Sequence, residues 1–311
     1  MQARGPRLSV DRILVAKLWL TQVTGPEVPP TSSGGSRATL PVVRIGIKPG
    51  QYGWTWEELT RSWEAAEEAG FDHVACFDHL TASPRGFRAW EAPSLLTAMA
   101  ARTSRIRLSV RVINASLRSP ALLAAQLAVA QAASGGRVDV GLGAGSWGLA
   151  RFDHLAAGIP FPGFDERMDR LEALCRVLPA LWRGDEVEDR GLGLRRASLG
   201  DLGIHPPRLV VGGASDRVVD IAVRHADGWD GPGEDPDRYA EVAGRTRARA
   251  EAVGRQEPLT LEAQVFLGDV GIQALRGHLR RLGDAGAERA TVVLHRERGP
   301  DWVWRVADAV L

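Results

Sequence analysis

Short apolar runs of strand length alternate with longer helical patterns eight times between residues 43 and 311. This alternation is typical of βα units that build a parallel sheet. At roughly 34 residues per unit, the array has about the length of a (β/α)₈ TIM barrel. The predicted strands cover residues 43–47, 73–77, 106–113, 138–142, 208–211, 228–230, 259–267 and 289–295. The predicted fold class is therefore α/β, a TIM barrel with insertions in the loops after the fourth strand and before the fifth.

A glycine-rich turn follows the fourth predicted strand in the stretch SGGRVDVGLGAGSW, residues 134–147. Backbone amides in such a turn can approach an anion closely, so a phosphate site is one interpretation. The spacing departs from a dinucleotide fingerprint because Ser146 replaces the third glycine, and no Gly-Lys-Ser/Thr follows. In the other interpretation, Gly141 and Gly143 only let the strand pack tightly. A doubly wound sheet, the rival fold, is disfavoured because Glu166, at the distance expected for its acidic residue, falls inside a predicted helix.

The charges are nearly balanced, with 39 basic and 38 acidic residues and a net charge of +1. This balance gives no electrostatic reason to expect binding to nucleic acid or to an anionic membrane. Cys76 and Cys175 lie far apart in the sequence, without a C-x-x-C pair or a histidine cluster. We therefore expect no disulfide and no metal site, and a reducing cytoplasm as the location.

The first residues differ in composition from the rest of the chain. The segment RILVAKLWL, residues 12–20, is short and contains Lys17, so it predicts neither a membrane span nor a signal peptide. Residues 25–35 have the composition of a linker. We expect residues 1–41 to form a disordered extension and residues 42–311 to form a single catalytic barrel domain. A translation start at residue 42 or 43 is a further hypothesis.

The barrel prediction locates the candidate site, because active sites of this fold lie at the carboxyl ends of the strands. Residues that follow the predicted strands are therefore the candidates. They are Lys48, Asp78, His79, 111–114, 143–147, 212–215, Asp230 and His295.

Six segments, in order along the chain, carry a resemblance to a known family. They are AAEEAGFDHVACFDHL (65–80), ARTSRIRLSVRV (101–112), RSPALLAAQLAVAQAASGGRVDVGLGAG (118–145), GIPFP (158–162), VVGGAS (210–215) and RHADGW (224–229). Together they resemble the luciferase-like monooxygenase superfamily, and most closely its branch that uses the deazaflavin coenzyme F-420. The resemblance extends from residue 43 to residue 311. Enzymes that use flavin mononucleotide (FMN) share most of these segments, so FMN is the alternative cofactor.

The resemblance implies which residues contact the cofactor. The Gly-Gly turn of the family, whose amides hold the cofactor phosphate, corresponds to Gly212, Gly213 and Ser215. The turn at 145–147 corresponds to another segment on the cofactor side. The third strand of the family often contains a non-prolyl cis peptide behind the ring, and the corresponding bond joins Arg111 and Val112. The complete predicted cofactor set is Arg111, Val112, Asn114, Gly145, Ser146, Trp147, Gly212, Gly213 and Ser215.

The resemblance also implies catalytic residues, Asp78 and His79, which correspond to the Asp-His pair of the family. An imidazole can exchange a proton during hydride transfer, so His79 is the acid/base candidate. The alternative is a structural histidine in the barrel mouth. His225 and Asp227 are expected to cap a helix and pack the barrel. Sugar-phosphate dehydrogenases of this group have a Glu where this chain has Ser146, so that activity is disfavoured.

The predicted function is that of an oxidoreductase that transfers a hydride between F-420 and a small organic substrate. The first alternative is a reduced-FMN-dependent monooxygenase, and the second is a catalytically silent cofactor-binding barrel. The loops at 147–164 and 183–205 are expected to build the substrate pocket. By analogy with the family, the helices after the first two strands form the surface of a homodimer.

Overall fold

The structure is a computed structural model that describes residues 43–81, 89–145, 148–294 and 299–311. All of these residues fall within one compact unit. The predicted extension at 1–41 and the candidates Ser146, Trp147 and His295 lie outside the described residues.

Eight parallel strands close into a barrel, which confirms the predicted fold class and excludes the doubly wound sheet. Around the barrel the order is β1, β2, β3, β4, β7, β8, β9 and β10, which pairs with β1 again. The bounds are β1 Arg44–Lys48, β2 His73–Cys76, β3 Arg107–Asn114, β4 Val138–Gly143, β7 Arg208–Gly212, β8 Gly228–Pro232, β9 Thr260–Phe266 and β10 Arg289–Val293.

Helices surround this barrel and begin and end where the local sequence predicts. Thr55 and Glu58 form a capping box before the first helix, and Gly70 ends it with a left-handed φ of 88°. Pro120 occupies the first position of the third helix. The helices are α1 Trp56–Ala69, α2 Ala92–Arg102, α3 Pro120–Ala133, α4 Ala150–Ala156, α5 Phe164–Trp182, α6 Asp216–His225, α7 Pro236–Ala252, α8 Leu267–Val270, α9 Ile272–Asp284 and α10 Pro300–Val310.

The two insertions contain elements that the sequence pattern does not predict. Helix α4 follows β4, and a two-stranded hairpin, β5 Val187–Asp189 and β6 Leu194–Ala197, lies between α5 and β7. The hairpin strands are short and rich in charged residues, so they lack the apolar run that marks a barrel strand. Helix α4 has only 7 residues, too few for a clear periodic pattern.

The glycines of β4 and β7 make room for one side chain of β3. The Arg111–Val112 peptide bond is cis, as the resemblance implies, and the pairing of β3 with β4 shifts register at this place. The Val112 side chain lies against Gly143 and Gly212, and a Cβ added at Gly212 would be 2.7 Å from Val112 Cγ1. A Cβ at Gly143 would overlap the same valine. The glycine-rich strand end therefore serves close packing around Val112.

Ion-paired side chains fill the barrel interior towards the amino ends of the strands. The pairs are Arg107–Asp139, Arg289–Asp139, Arg289–Asp72, Arg208–Glu262 and Arg111–Glu262. Burial alone would raise the pKa of Asp139, but the Arg107 hydrogen bond and the charge of Arg289 hold it well below its usual range. These ion pairs therefore pack the barrel interior beneath the strand ends, where the candidate site lies.

Candidate active site at the barrel mouth

Two buried ionisable side chains and one half-buried amide form a hydrogen-bonded floor at the mouth of the barrel. Lys48 Nζ donates to the carbonyl oxygen of Arg111 at 2.9 Å and to Gln264 Oε1. Gln264 Nε2 donates in turn to Asp230 Oδ2 at 2.6 Å. The ammonium group lies 4.0 Å from the centroid of the Phe77 ring. We call Lys48, Gln264 and Asp230 the floor triad.

Burial shifts both ionisable members of the floor triad towards neutrality. It lowers the pKa of Lys48 to about 7, although the charge of Asp230 opposes this shift. It raises the pKa of Asp230 to about 6, although the charge of Arg111 opposes this shift. The charge of the floor can therefore change close to neutral pH. Perturbed groups of this kind in a barrel mouth are typical of functional sites.

The sequence identifies Lys48 and Asp230 as strand-end candidates but misses Gln264. The signal that could have found it is the alternation in β9, TLEAQVF, where Glu262 and Gln264 are polar residues two positions apart. In a strand these two side chains point to the same face. Their partners, Arg111 for Glu262 and Lys48 for Gln264, show that this face is the barrel interior.

A histidine–aspartate pair lies beside the floor. His79 Nδ1 is 2.6 Å from Asp153 Oδ2, and the other oxygen of Asp153 accepts hydrogen bonds from the amides of Leu80 and Thr81 at 2.8 and 2.9 Å. The Asp153 side chain is only 1% exposed, whereas His79 is 18% exposed. The carboxylate therefore assigns the Nδ1 proton, and Nε2 is the ring nitrogen left for proton exchange.

Asp78, which the sequence groups with His79 as catalytic, has different partners. Its carboxylate accepts both ends of the Arg118 guanidinium, at 2.7 and 2.6 Å, and the backbone amide of Asn114 at 2.9 Å. Arg118 also donates to Glu91 at 2.8 Å. The Asp78 side chain is buried and fixes the end of β3.

The predicted cofactor residues on β3 and β4 occupy two environments. The Arg111 side chain is 0% exposed and pairs with Glu262 in the barrel interior, so only its backbone is at the mouth. Val112 is half-buried at the mouth. Asn114 Oδ1 accepts the amide of Ser116 at 3.0 Å. Gly145 has φ of 78°, and a Cβ there would lie 2.9 Å from Asn114 Oδ1, so only glycine fits.

The Gly-Gly turn after β7 leads directly into α6. Gly213 has φ of 134°, its amide donates to the carbonyl of Asp230 at 3.0 Å, and its own carbonyl accepts Trp229 Nε1 at 2.7 Å. Ser215 is the N-cap of the 10-residue helix. Gly212 and Gly213 are half-buried, so their backbone is open to the mouth. A glycine turn at a helix amino terminus fits a phosphate group, and the half-buried Val112 beside it fits one face of a planar ring.

Two other candidates have structural contacts. His225 ends α6 with Nε2 3.5 Å from Glu172, and Asp227 accepts the amide of Leu209 at 2.7 Å. These contacts agree with the expected packing role. Cys76 and Cys175 are buried and unpaired. In the described part of the chain no three His, Cys, Asp or Glu side chains gather to hold a metal, and no helix there could cross a membrane.

Taken together, the barrel, the mouth with its polar floor and the glycine turn before α6 define a TIM-barrel protein with its site at the strand ends. The chain belongs to the luciferase-like monooxygenase family, whose profile matches residues 38–298. This membership confirms the resemblance found in the sequence.

Known proteins similar to this chain fall into two groups. An F-420-dependent glucose-6-phosphate dehydrogenase from Nakamurella multipartita is 30% identical over 61% of this chain and 56% of its own length. A solved F-420-dependent secondary alcohol dehydrogenase with an F-420–acetone adduct has a TM-score of 0.70 at 16% identity, covering 86% of this chain and 98% of that one. A solved monooxygenase from Streptomyces bottropensis has a TM-score of 0.65 at 21% identity, covering 86% and 96%. The chain thus spans little more than half the length of the curated relative.

Proposed function

We propose that the protein is an oxidoreductase that transfers a hydride between coenzyme F-420 and a small organic substrate. The sequence relative named above is F-420-dependent, and the match covers 56% of its length. The observation that carries the proposal is the His79–Asp153 pair, which presents an oriented imidazole at the mouth of the barrel. A bound deazaflavin would supply the two-electron hydride chemistry.

The residues of the mouth have separate tasks in this proposal. At the turn formed by Gly212, Gly213 and Ser215, the first backbone amides of α6 would hold the phosphate, because the Gly213 amide already donates to the carbonyl of Asp230. Val112 supports one face of the ring. His79 Nε2 gives a proton to the substrate oxygen during reduction or takes it during oxidation, while Asp153 stabilises the imidazolium. Asp78 acts as a positioning residue, since its carboxylate binds Arg118 and the end of β3.

The test uses His79→Ala, with His225→Ala as the matched control at the end of α6. Reduced F-420 would be mixed with a panel of small aldehydes and ketones, and its oxidation would be followed by absorbance. We expect His79→Ala to slow turnover by about 10²–10⁴-fold, the usual contribution of a general acid. F-420 affinity and the activity of the control should stay unchanged. Equal turnover of His79→Ala and wild type would refute the proposed role.

The alternative function is a reduced-FMN-dependent monooxygenase. The glycine turn before α6 would accept the FMN phosphate equally well. Oxygen consumption with reduced FMN, absent with reduced F-420, would favour this alternative. A silent barrel is disfavoured by the floor triad, because burial moves the pKa values of Lys48 and Asp230 towards neutral pH, a shift typical of functional sites.

We also propose that the protein is a cytoplasmic homodimer that binds no nucleic acid. The net charge of +1 and the buried free cysteines support the location and the lack of a nucleic-acid partner. The helices after the first two strands, α1 and α2, would form the dimer surface, and Trp56 at the start of α1 is 46% exposed. Light scattering at micromolar concentration should give twice the monomer mass. Trp56→Asp should then lower that mass.

A further inference from the structure

One buried arginine outside the candidate site has no ionic partner among the residues that the structure describes. Arg167, in the first part of α5, is 5% exposed, and its Nε and Nη1 atoms have no hydrogen-bond acceptor in the described part of the chain. Burial lowers its pKa, and no carboxylate of the described chain offsets this effect. The buried arginines of the barrel differ, since Arg111 pairs with Glu262 and Arg289 with Asp139.

Contacts connect Arg167 with the active-site side of the barrel. Its guanidinium carbon lies 4.5 Å from the centroid of the Phe161 ring. Phe161 packs edge to face on His154, with ring centroids 5.0 Å apart, and His154 follows the Asp153 that orients His79. Arg167 therefore packs, through Phe161, against the segment after β4 that contains Asp153.

The neighbouring arginine on α5 confirms this placement. Arg170 donates to the carbonyl oxygens of Ala115 at 2.9 Å and Arg118 at 3.0 Å, in the segment that follows β3. The amino-terminal part of α5 is thus fixed against the carboxyl end of a barrel strand, where the site lies.

The Arg167 side chain points back towards the start of α5. Helical side chains lean towards the amino terminus, and Phe161 precedes the helix. This helix has 19 residues, and its N-cap, Gly163, has no side chain to satisfy the first amides. The first-turn acids Asp165 and Glu166 are exposed, and Asp165 pairs with Arg217 at 3.2 Å. Because both carboxylates face solvent, neither serves as a counterion for the Arg167 guanidinium.

Energetics favour an external ligand here. The free energy needed to bury an unpaired charge exceeds the stabilisation that a cation–π contact with one aromatic ring provides. A planar guanidinium with free N–H groups binds phosphate or carboxylate through charge-assisted hydrogen bonds. The helix amino terminus adds amide donors of the same polarity.

We propose that Arg167 and the first turn of α5 bind an anionic group, a phosphate or a carboxylate, carried by the substrate or by the cofactor tail. The choice between these two sources rests on the proposed function, whereas the anion site itself does not. The first turn of α5 lies close to the start of α6, since Asp165 and Asp169 both pair with Arg217.

Inorganic phosphate is the probe, used on the protein without added cofactor. Thermal unfolding would be compared in phosphate and in chloride of equal ionic strength for Arg167→Met and Arg176→Met. Arg176 lies on the same helix with its side chain 55% exposed, so it controls for the charge change. We expect phosphate affinity about tenfold or more weaker in Arg167→Met than in the control. An equal response of both variants would overturn the proposal.

A second measurement needs no variant. Phosphate should slow backbone amide exchange at residues 163–167 of the wild-type protein, and an unchanged exchange rate there would overturn the proposal even if Arg167→Met fails to fold. The source of the anion follows from cofactor titration. An F-420 or FMN affinity reduced about tenfold in Arg167→Met assigns the cofactor tail, and an unchanged affinity assigns the substrate.

Discussion

Replacing Asp153 by asparagine tests how the active-site histidine is oriented. The asparagine oxygen can still accept the amides of Leu80 and Thr81, so the loop keeps its anchor. The new amide group, however, places a donor against His79 Nδ1, where the carboxylate oxygen now lies at 2.6 Å. A neutral imidazole must then carry its proton on Nε2, the wrong atom for accepting one from substrate.

The expected loss follows from these contacts. Turnover should fall by about 10²–10⁴-fold, since the general acid/base is present but in the wrong tautomer. Stability should fall by about 1–3 kcal/mol, the range for a lost charge-assisted hydrogen bond at a buried carboxylate. Cofactor affinity should be unchanged, because Asp153 contacts the histidine loop and not the glycine turn.

The assay follows oxidation of reduced F-420 at saturating substrate, and chemical denaturation gives the stability. Asp220→Asn is the matched control, because Asp220 pairs with Arg249 between the outer helices α6 and α7. A turnover of Asp153→Asn within about twofold of the control would refute the reasoning, since the orientation of His79 would then have no catalytic effect.

Three further predictions concern the barrel itself. Gly143→Ala should destabilise the fold by about 1–3 kcal/mol, because the added methyl group overpacks against Val112. Its control is Gly244→Ala, at an uncrowded helix position, which should be neutral or stabilising. Urea unfolding measures the stability of both variants. Lys48 has a folded pKa of about 7 against 10.5 in the unfolded chain, so the unfolded state binds more protons between about pH 7 and 10 and stability rises with pH there. Lys48→Met should remove that rise, and an equal slope in both proteins would contradict it. Asp78→Asn should lower stability by about 1–3 kcal/mol, because Arg118 loses its charged two-point partner and keeps only Glu91, and an unchanged unfolding midpoint would exclude the positioning role.

The local part of the fold could be predicted from the sequence, because each strand and helix has its own pattern. Thr55 with Glu58 gives the start of α1, and the apolar run before Gly143 gives β4. The hairpin formed by β5 and β6 could not be predicted, since its strands have only three and four residues and most of them are charged. Its one core residue, Leu194, is too little for a periodic apolar pattern.

Only part of the candidate site could be predicted from the sequence. The sequence placed Lys48, His79 and Asp230 at strand ends, which the barrel fold implies. It did not pair His79 with Asp153, because the two residues are 74 positions apart and α4 has no sequence signal. Asp78 was grouped with its neighbour in the chain, although its contacts are with Arg118. Long-range pairs of this kind depend on tertiary structure.

The central claim is that the barrel mouth binds F-420, a deazaflavin, rather than FMN, and uses it for two-electron chemistry. Fluorescence titration of the wild-type protein with F-420 and with FMN, under identical conditions, tests it directly, with Gly213→Val as the variant that obstructs the glycine turn. The account predicts tighter binding of F-420 than of FMN, and loss of this binding in Gly213→Val. Tight binding of FMN without binding of F-420 would contradict it.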